Sequence, residues 1–214
     1  MILGPWYHII DWRYTMDSFL HIKTEEIQTD GTDTYHFHRY EPTPYDVIET
    51  LFNTCAPAEN DVLVDYGCGL GRLNFYIENR FGLPSVGIEF SEEYYERALQ
   101  NLHSYCGNKE RITFCHCKAE EYLVQPEQTW FYFFNPFSVD IFRKVVNHIL
   151  DSWQEKPRKI VLVLYYPEDD TIFYLEQHTT FRLIDEIAAS DAVLKDRRER
   201  FCLYQMDAPS TGAL

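Results

Sequence analysis

At 214 residues, 45% of them hydrophobic and 25% charged, the chain fits one globular domain able to bury a full core, and wholesale disorder is excluded. A formal charge of −15 disfavours nucleic acid as a partner, because phosphate contacts need a basic footprint. Six dispersed cysteines make no disulfide framework, Cys115-x-Cys117 has no second pair to complete a metal site, and no apolar run approaches a membrane span, so a cytoplasmic protein without metal is expected.

Residues 1–60 differ in character from residues 61–214. Trp6, Tyr7, Trp12, Tyr14, Tyr35, Phe37 and Tyr40 give the first part an aromatic density that a free tail would not need. It reads as an N-terminal extension, either a lid over a ligand cleft or a flap covering apolar sheet edge. Thr43-Pro44, followed by Val47, Ile48, Leu51 and Phe52 on one helical face, predicts a helix packed on the core ahead of the first strand.

From about Asp61 short apolar strands alternate with amphipathic helices, the pattern of a doubly wound α/β fold with a mostly parallel sheet. Val62-Leu63-Val64 leads into Asp65-Tyr66-Gly67-Cys68-Gly69-Leu70-Gly71-Arg72, a strand breaking into a glycine turn and then a helix. Ser85 to Glu89 is the next strand. Ser91 caps a helix with a stripe of Tyr95, Ala98, Leu99 and Leu102. Ile112 to Cys115 and Trp130 to Phe134 follow as strands, separated by the polar turn Lys118 to Glu121. Ser138 caps a helix with Phe142, Val146, Ile149 and Trp153 on one side, and Ile160 to Tyr165 is the fifth strand. A short helix runs from Pro167 through Leu175. Phe181 to Ala188 and Arg200 to Met206 read as an antiparallel hairpin, with Phe201 to Met206 as the outer strand, open to another chain or covered by residues 207–214. Lys195, Arg197, Arg198 and Arg200 are broken by Asp196 and Glu199 and read as a solvated turn.

The glycine turn points to S-adenosylmethionine. A dinucleotide fingerprint counted from Gly67 requires glycine where Arg72 stands, and the third glycine falls one residue early, at Gly71. Asp65 would repel a pyrophosphate but suits the ammonium group of a methionine moiety. Glu89, about 20 residues further on, is placed to accept hydrogen bonds from ribose hydroxyls, a feature common to both cofactors, and Phe90 beside it faces the adenine.

These segments, Val62 to Arg72 and Val86 to Glu89, resemble the first two motifs of class I S-adenosylmethionine-dependent methyltransferases. The upstream pieces His21 to Thr24 and Tyr40 to Tyr45 resemble a bacterial branch of that superfamily. The resemblance implies five parallel strands and a terminal antiparallel hairpin in a seven-stranded Rossmann-like sheet, with Asp65, Gly67, Cys68, Gly69, Gly71, Glu89, Phe90, Lys118, Ala119, Glu120 and Asn135 around the cofactor. Lys118-Ala119 stands where the family often has an Asp-Ala pair near the adenine amino group. Lysine cannot accept that bond, which leaves backbone atoms or Glu120. Asn135-Pro136-Phe137-Ser138 resembles the N-P-P-Y type motif that orients an acceptor nitrogen, with one proline missing. His36, His38, Glu41 and Tyr45 are candidate bases. The implied activity is methyl transfer to a small molecule or protein side chain. The alternative is a non-catalytic module that binds the same cofactor and acts through a partner.

Overall fold

The computed structural model describes residues 12–25 and 41–209. The five predicted apolar runs form the parallel strands β1 (Leu63–Tyr66), β2 (Ser85–Glu89), β3 (Ile112–His116), β4 (Trp130–Phe134) and β5 (Ile160–Tyr165). The helices are α1 (Trp12–Leu20), α2 (Tyr45–Thr54), α3 (Arg72–Phe81), α4 (Glu92–Ser104), α5 (Val139–Glu155) and α6 (Asp169–His178). With β6 (Arg182–Ala188) and β7 (Arg200–Met206) the sheet reads β3-β2-β1-β4-β5-β7-β6, and β7 alone runs against its neighbours. After β1 the chain builds outward through β2 and β3, then returns to the other side of β1 as β4. That reversal opens a crevice at the carboxyl ends of β1 and β4, the place where folds of this kind take ligands.

The central strands are buried on both faces, as parallel strands under two helical layers must be. Val64, Tyr66, Phe131, Phe133, Leu162 and Leu164 point toward α5 and α6. Leu63, Trp130, Tyr132, Val161, Val163 and Tyr165 point toward α2 and α3. The helix expected after Pro44 is α2, with Val47, Ile48, Leu51 and Phe52 all buried, at roughly 1.5–3 kcal/mol per large apolar side chain. A third cluster joins Leu20 and Ile22 to Phe75, Ala98, Tyr105 and Phe114, seating the end of α1 on α3 and α4.

Four sequence expectations need correction. Phe201–Met206 is not the outer strand: β7 lies between β5 and β6, and its run Phe201, Cys202, Leu203, Tyr204 is almost wholly buried. The edge is β6, exposed at every position but Ile187 and interrupted by a bulge between Leu183 and Asp185, which blunts pairing with a further strand. On α4 the buried positions are Ala98 and Asn101, while Leu99 is 39% exposed. Ser138 occupies the cap position of α5 without a side-chain bond, whereas Ser91 does cap α4 by accepting from the Tyr94 N–H. The α6 helix also runs on past Leu175 to His178.

Gly71 sets the angle at which α3 leaves the loop. It caps the helix at φ +86°, and a Cβ placed there would stand 2.5 Å from Phe114 Cζ and 3.0 Å from Phe75 Cε2. Gly71→Ala is expected to destabilise the fold by about 2–4 kcal/mol from backbone strain and overpacking together. Urea unfolding should show a lower midpoint at unchanged m; an unchanged midpoint would mean that Phe114 yields without cost.

Candidate functional site

The glycine turn is stapled to the neighbouring strand. Gly67 N and Cys68 N both donate to the Ile88 carbonyl, at 2.9 and 3.0 Å, and Gly71 N donates to the Cys68 carbonyl at 2.9 Å. A Cβ on Gly67 would lie 2.7 Å from Pro136 Cβ. Gly67 is therefore required by the approach of the Asn135-Pro136 turn, so the β1 and β4 ends meet at this residue. Cys68 is buried, its thiol pushed up in pKa by burial, then by Asp65 and Glu89. Its Sγ packs beneath Gly87, which leaves only its backbone for a ligand.

Glu89 joins the turn to α4. One carboxylate oxygen accepts from Gly69 N at 2.9 Å and the other from Ser91 N at 2.7 Å, and the Phe90 N–H is a third backbone donor to the carboxylate. Burial raises its pKa against the opposing pull of these backbone N–H groups. Phe90 follows with a ring 47% exposed, and its carbonyl meets His116 Nε2 at 3.0 Å. On the next strand Asp65 is 5% exposed, and burial, then Glu89, pushes its carboxyl up to about 8. Read from sequence, Asp65 is an anion waiting for an ammonium group; enclosed beside Glu89, its carboxyl favours the protonated form at neutral pH. It lines a small cleft with Gly67, Cys68, Glu41, Thr43, Arg72 and Tyr132.

After β3, Lys118 is a half-exposed side chain 3.7 Å from Glu121, and Ala119 is buried in the core. Glu120 Oε2 is buried without a hydrogen-bond partner among the described residues. A free acceptor thus stands beside the position where the lysine cannot serve. After β4, Asn135 adopts φ +38°, in the left-handed region, and its Nδ2 donates to Glu168 Oε1 at 3.4 Å. Phe137 is 6% exposed, meets Phe133 edge-on at 6.2 Å, and with Asn135 and Pro136 lines a second small cleft at the ends of β4 and β5.

Of the candidate bases, Glu41 lines the cleft, while His36 and His38 lie outside the described residues. Tyr45 is corrected. It is fully buried, its hydroxyl donates to Asp17 at 2.5 Å, and burial with Asp17 raises its pKa, so it cannot take up an acceptor's proton. The arginines of the basic segment are ion-paired: Arg197 with Asp169, Arg198 with Glu168 and Asp196, and Arg200, within β7, with Glu186. The sequence reading missed Arg72 and Asn101 as buried polar anchors. The one signal for Arg72 was its place where a dinucleotide motif has glycine.

No protein-family model matches the chain. A protein-lysine N-methyltransferase of Saccharolobus islandicus is 31% identical over 64 residues, which is 29% of this chain and 40% of that relative. An RNA methyltransferase from Salinibacter ruber, solved with S-adenosyl-L-homocysteine, aligns over 81% of this chain and 97% of its own at 19% identity and a TM-score of 0.55. Magnesium protoporphyrin IX methyltransferase from Synechocystis, solved with S-adenosylmethionine, aligns over 74% of each chain at 14% identity and a TM-score of 0.52. Among the described residues no helix is long and apolar enough to cross a membrane. Strand order, the reversed β7 and these alignments together give the chain the Rossmann-like fold of the class I S-adenosylmethionine-dependent methyltransferases.

Proposed function

We propose that the protein is a methyltransferase that takes its methyl group from S-adenosylmethionine and delivers it to a nitrogen of a small molecule or protein side chain. The observation that carries this reading is the pair of buried carboxyls, Asp65 and Glu89, at the ends of adjacent strands on either side of the glycine turn. Glu89 takes the ribose hydroxyls, Phe90 lies against the adenine and Glu120 accepts from its amino group. Asp65 gives up its proton to become the counterion of the ammonium group, an exchange that a pyrophosphate could not drive.

Methyl transfer needs little else, because the sulfonium is already a strong electrophile and alignment supplies most of what remains. Asn135 engages Glu168 through its Nδ2, which leaves Oδ1 to accept an N–H of the acceptor. The solved neighbours act on acceptors as unlike as RNA and a porphyrin, so the fold does not select the acceptor. Net acidity, with the arginines of the basic turn already paired, favours a cationic or neutral acceptor over a polyanion.

Thermal unfolding with each ligand tests the cofactor. S-adenosylmethionine or S-adenosylhomocysteine at about 100 times its dissociation constant should contribute roughly 2.7 kcal/mol, a rise of about 5–10 °C, and NAD should contribute nothing. Glu89→Ala should reduce the rise. A shift with NAD alone would overturn the reading.

Asp65 makes a separate prediction. Its carboxyl ionises at a higher pH folded than unfolded, so between about pH 4 and pH 8 the unfolded chain releases a proton that the folded chain keeps, and stability falls as pH rises. Asp65→Asn should remove this loss. The unliganded variant should melt several degrees above wild type at pH 8, the gap closing toward pH 4, while adenosyl-ligand binding is lost. A variant less stable than wild type at pH 8 would show that the carboxylate has a cationic partner within the protein.

A further inference from the structure

Buried polar groups gather around Arg72, the first residue of α3, which is 4% exposed. Its Nε donates to Thr24 Oγ1 at 2.7 Å, its Nη2 to Glu25 Oε1 at 2.7 Å and its Nη1 to the Thr43 carbonyl at 3.3 Å. The guanidinium carbon lies 4.6 Å from the centroid of the Tyr45 ring. Asp17, itself 6% exposed, accepts from the Thr24 N–H at 2.5 Å, the Thr24 hydroxyl at 2.9 Å and the Tyr45 hydroxyl at 2.5 Å. Asn101 accepts from the Lys23 N–H at 2.8 Å and donates to the carbonyls of Lys23 and Leu70, at 3.1 and 3.0 Å. One side chain thus grips the chain at two places far apart in sequence, residues 24–25 and residue 43, and does so beside Asp65 in the same cleft.

The grip shapes one end of the pocket. Pro42 and Thr43 line the cleft with Asp65 and Gly67, and Thr43 is held from a second side by its hydroxyl, 2.8 Å from the Tyr132 hydroxyl. Glu89 is held by Gly69 and Ser91, outside this network, and is not among the residues that line this cleft. We propose that Arg72 is a positioning residue that straps Thr24, Glu25 and Thr43 across the glycine turn and so builds the wall against which the amino-acid end of the cofactor rests. The inference rests on the adenosyl reading above. It adds that affinity for the amino-acid end depends on the strap and affinity for the nucleoside end does not. The residue type suits the task. A planar guanidinium sends N–H groups in three directions at once and stacks on an aromatic ring, whereas a lysine ammonium cannot satisfy the same three acceptors in that geometry.

Two ligands separate this role from a general contribution to folding. S-adenosylhomocysteine reaches the strap; 5′-methylthioadenosine keeps the nucleoside and sulfur but lacks the amino acid. Calorimetric titration of Arg72→Met should show S-adenosylhomocysteine weakened by about tenfold or more and methylthioadenosine by less than about twofold. Arg72→Lys and Thr24→Val, each keeping part of the network, should fall between wild type and Arg72→Met for the first ligand only. Equal losses for the two ligands, or none, would overturn the proposal. Amide hydrogen exchange of the same variants gives a reading that needs no ligand: Lys23 and Thr24 should lose protection in Arg72→Met while β1, β4 and β5 keep theirs. Should wild type bind neither ligand, the adenosyl reading fails by itself, and unchanged exchange at Lys23 and Thr24 would then sink the strap as well.

Discussion

A carboxyl group enclosed at the end of a central strand must stay neutral or meet a cation, and much of this structure is arranged around that constraint at Asp65. Its register neighbours are Gly87 on β2 and Tyr132 on β4, and neither supplies a positive charge. Glu89, one strand away, adds a like charge rather than relief. The fold tolerates the arrangement by favouring the protonated carboxyl at Asp65. Ionising the carboxyl in this enclosure costs stability unless a cation is brought to it.

Charge of the opposite sign is present nearby and is withheld. Arg72 lines the same cleft, yet its donors are directed to Thr24, Glu25 and the Thr43 carbonyl rather than to Asp65. A buried cation with a full set of acceptors adds little net stability but defines geometry closely, since losing any partner leaves a desolvated charge. Here the geometry defined is the path of the chain on both sides of the cleft. The Asp17, Thr24 and Tyr45 bonds extend the network into α1 and α2, helices that precede β1 in sequence.

The ends of β4 and β5 are built differently. Asn135 and Tyr166, at the ends of β4 and β5, are both non-glycine residues at positive φ. They are linked through half-exposed ion pairs, Glu168 to Arg198 and Arg198 to Asp196, with the Arg198 guanidinium 4.5 Å from the Tyr166 ring centroid. Surface pairs of this kind contribute about 0–1 kcal/mol each. The solved neighbours share the sheet and differ in what they methylate.

Alternation of apolar runs with helical stripes made the strands, the helix order and the parallel sheet legible in the sequence, because burial on both faces forces continuous hydrophobic runs and short connections. The glycine turn and Glu89 were equally plain, since backbone at positive φ and a strand-end acid leave marks at fixed spacing. What sequence spacing could not carry was the partnership of side chains distant along the chain. Tyr45 looked like a base until Asp17 closed on its hydroxyl, and the outer strand was assigned to the wrong member of the hairpin. Arg72 is the sharpest case: the sequence alone determined that an arginine opens α3 after the glycine turn. Only the tertiary structure, by bringing residues 24, 25 and 43 around one buried guanidinium, decided what that charge holds, because a desolvated cation takes its role from whichever acceptors packing places within reach.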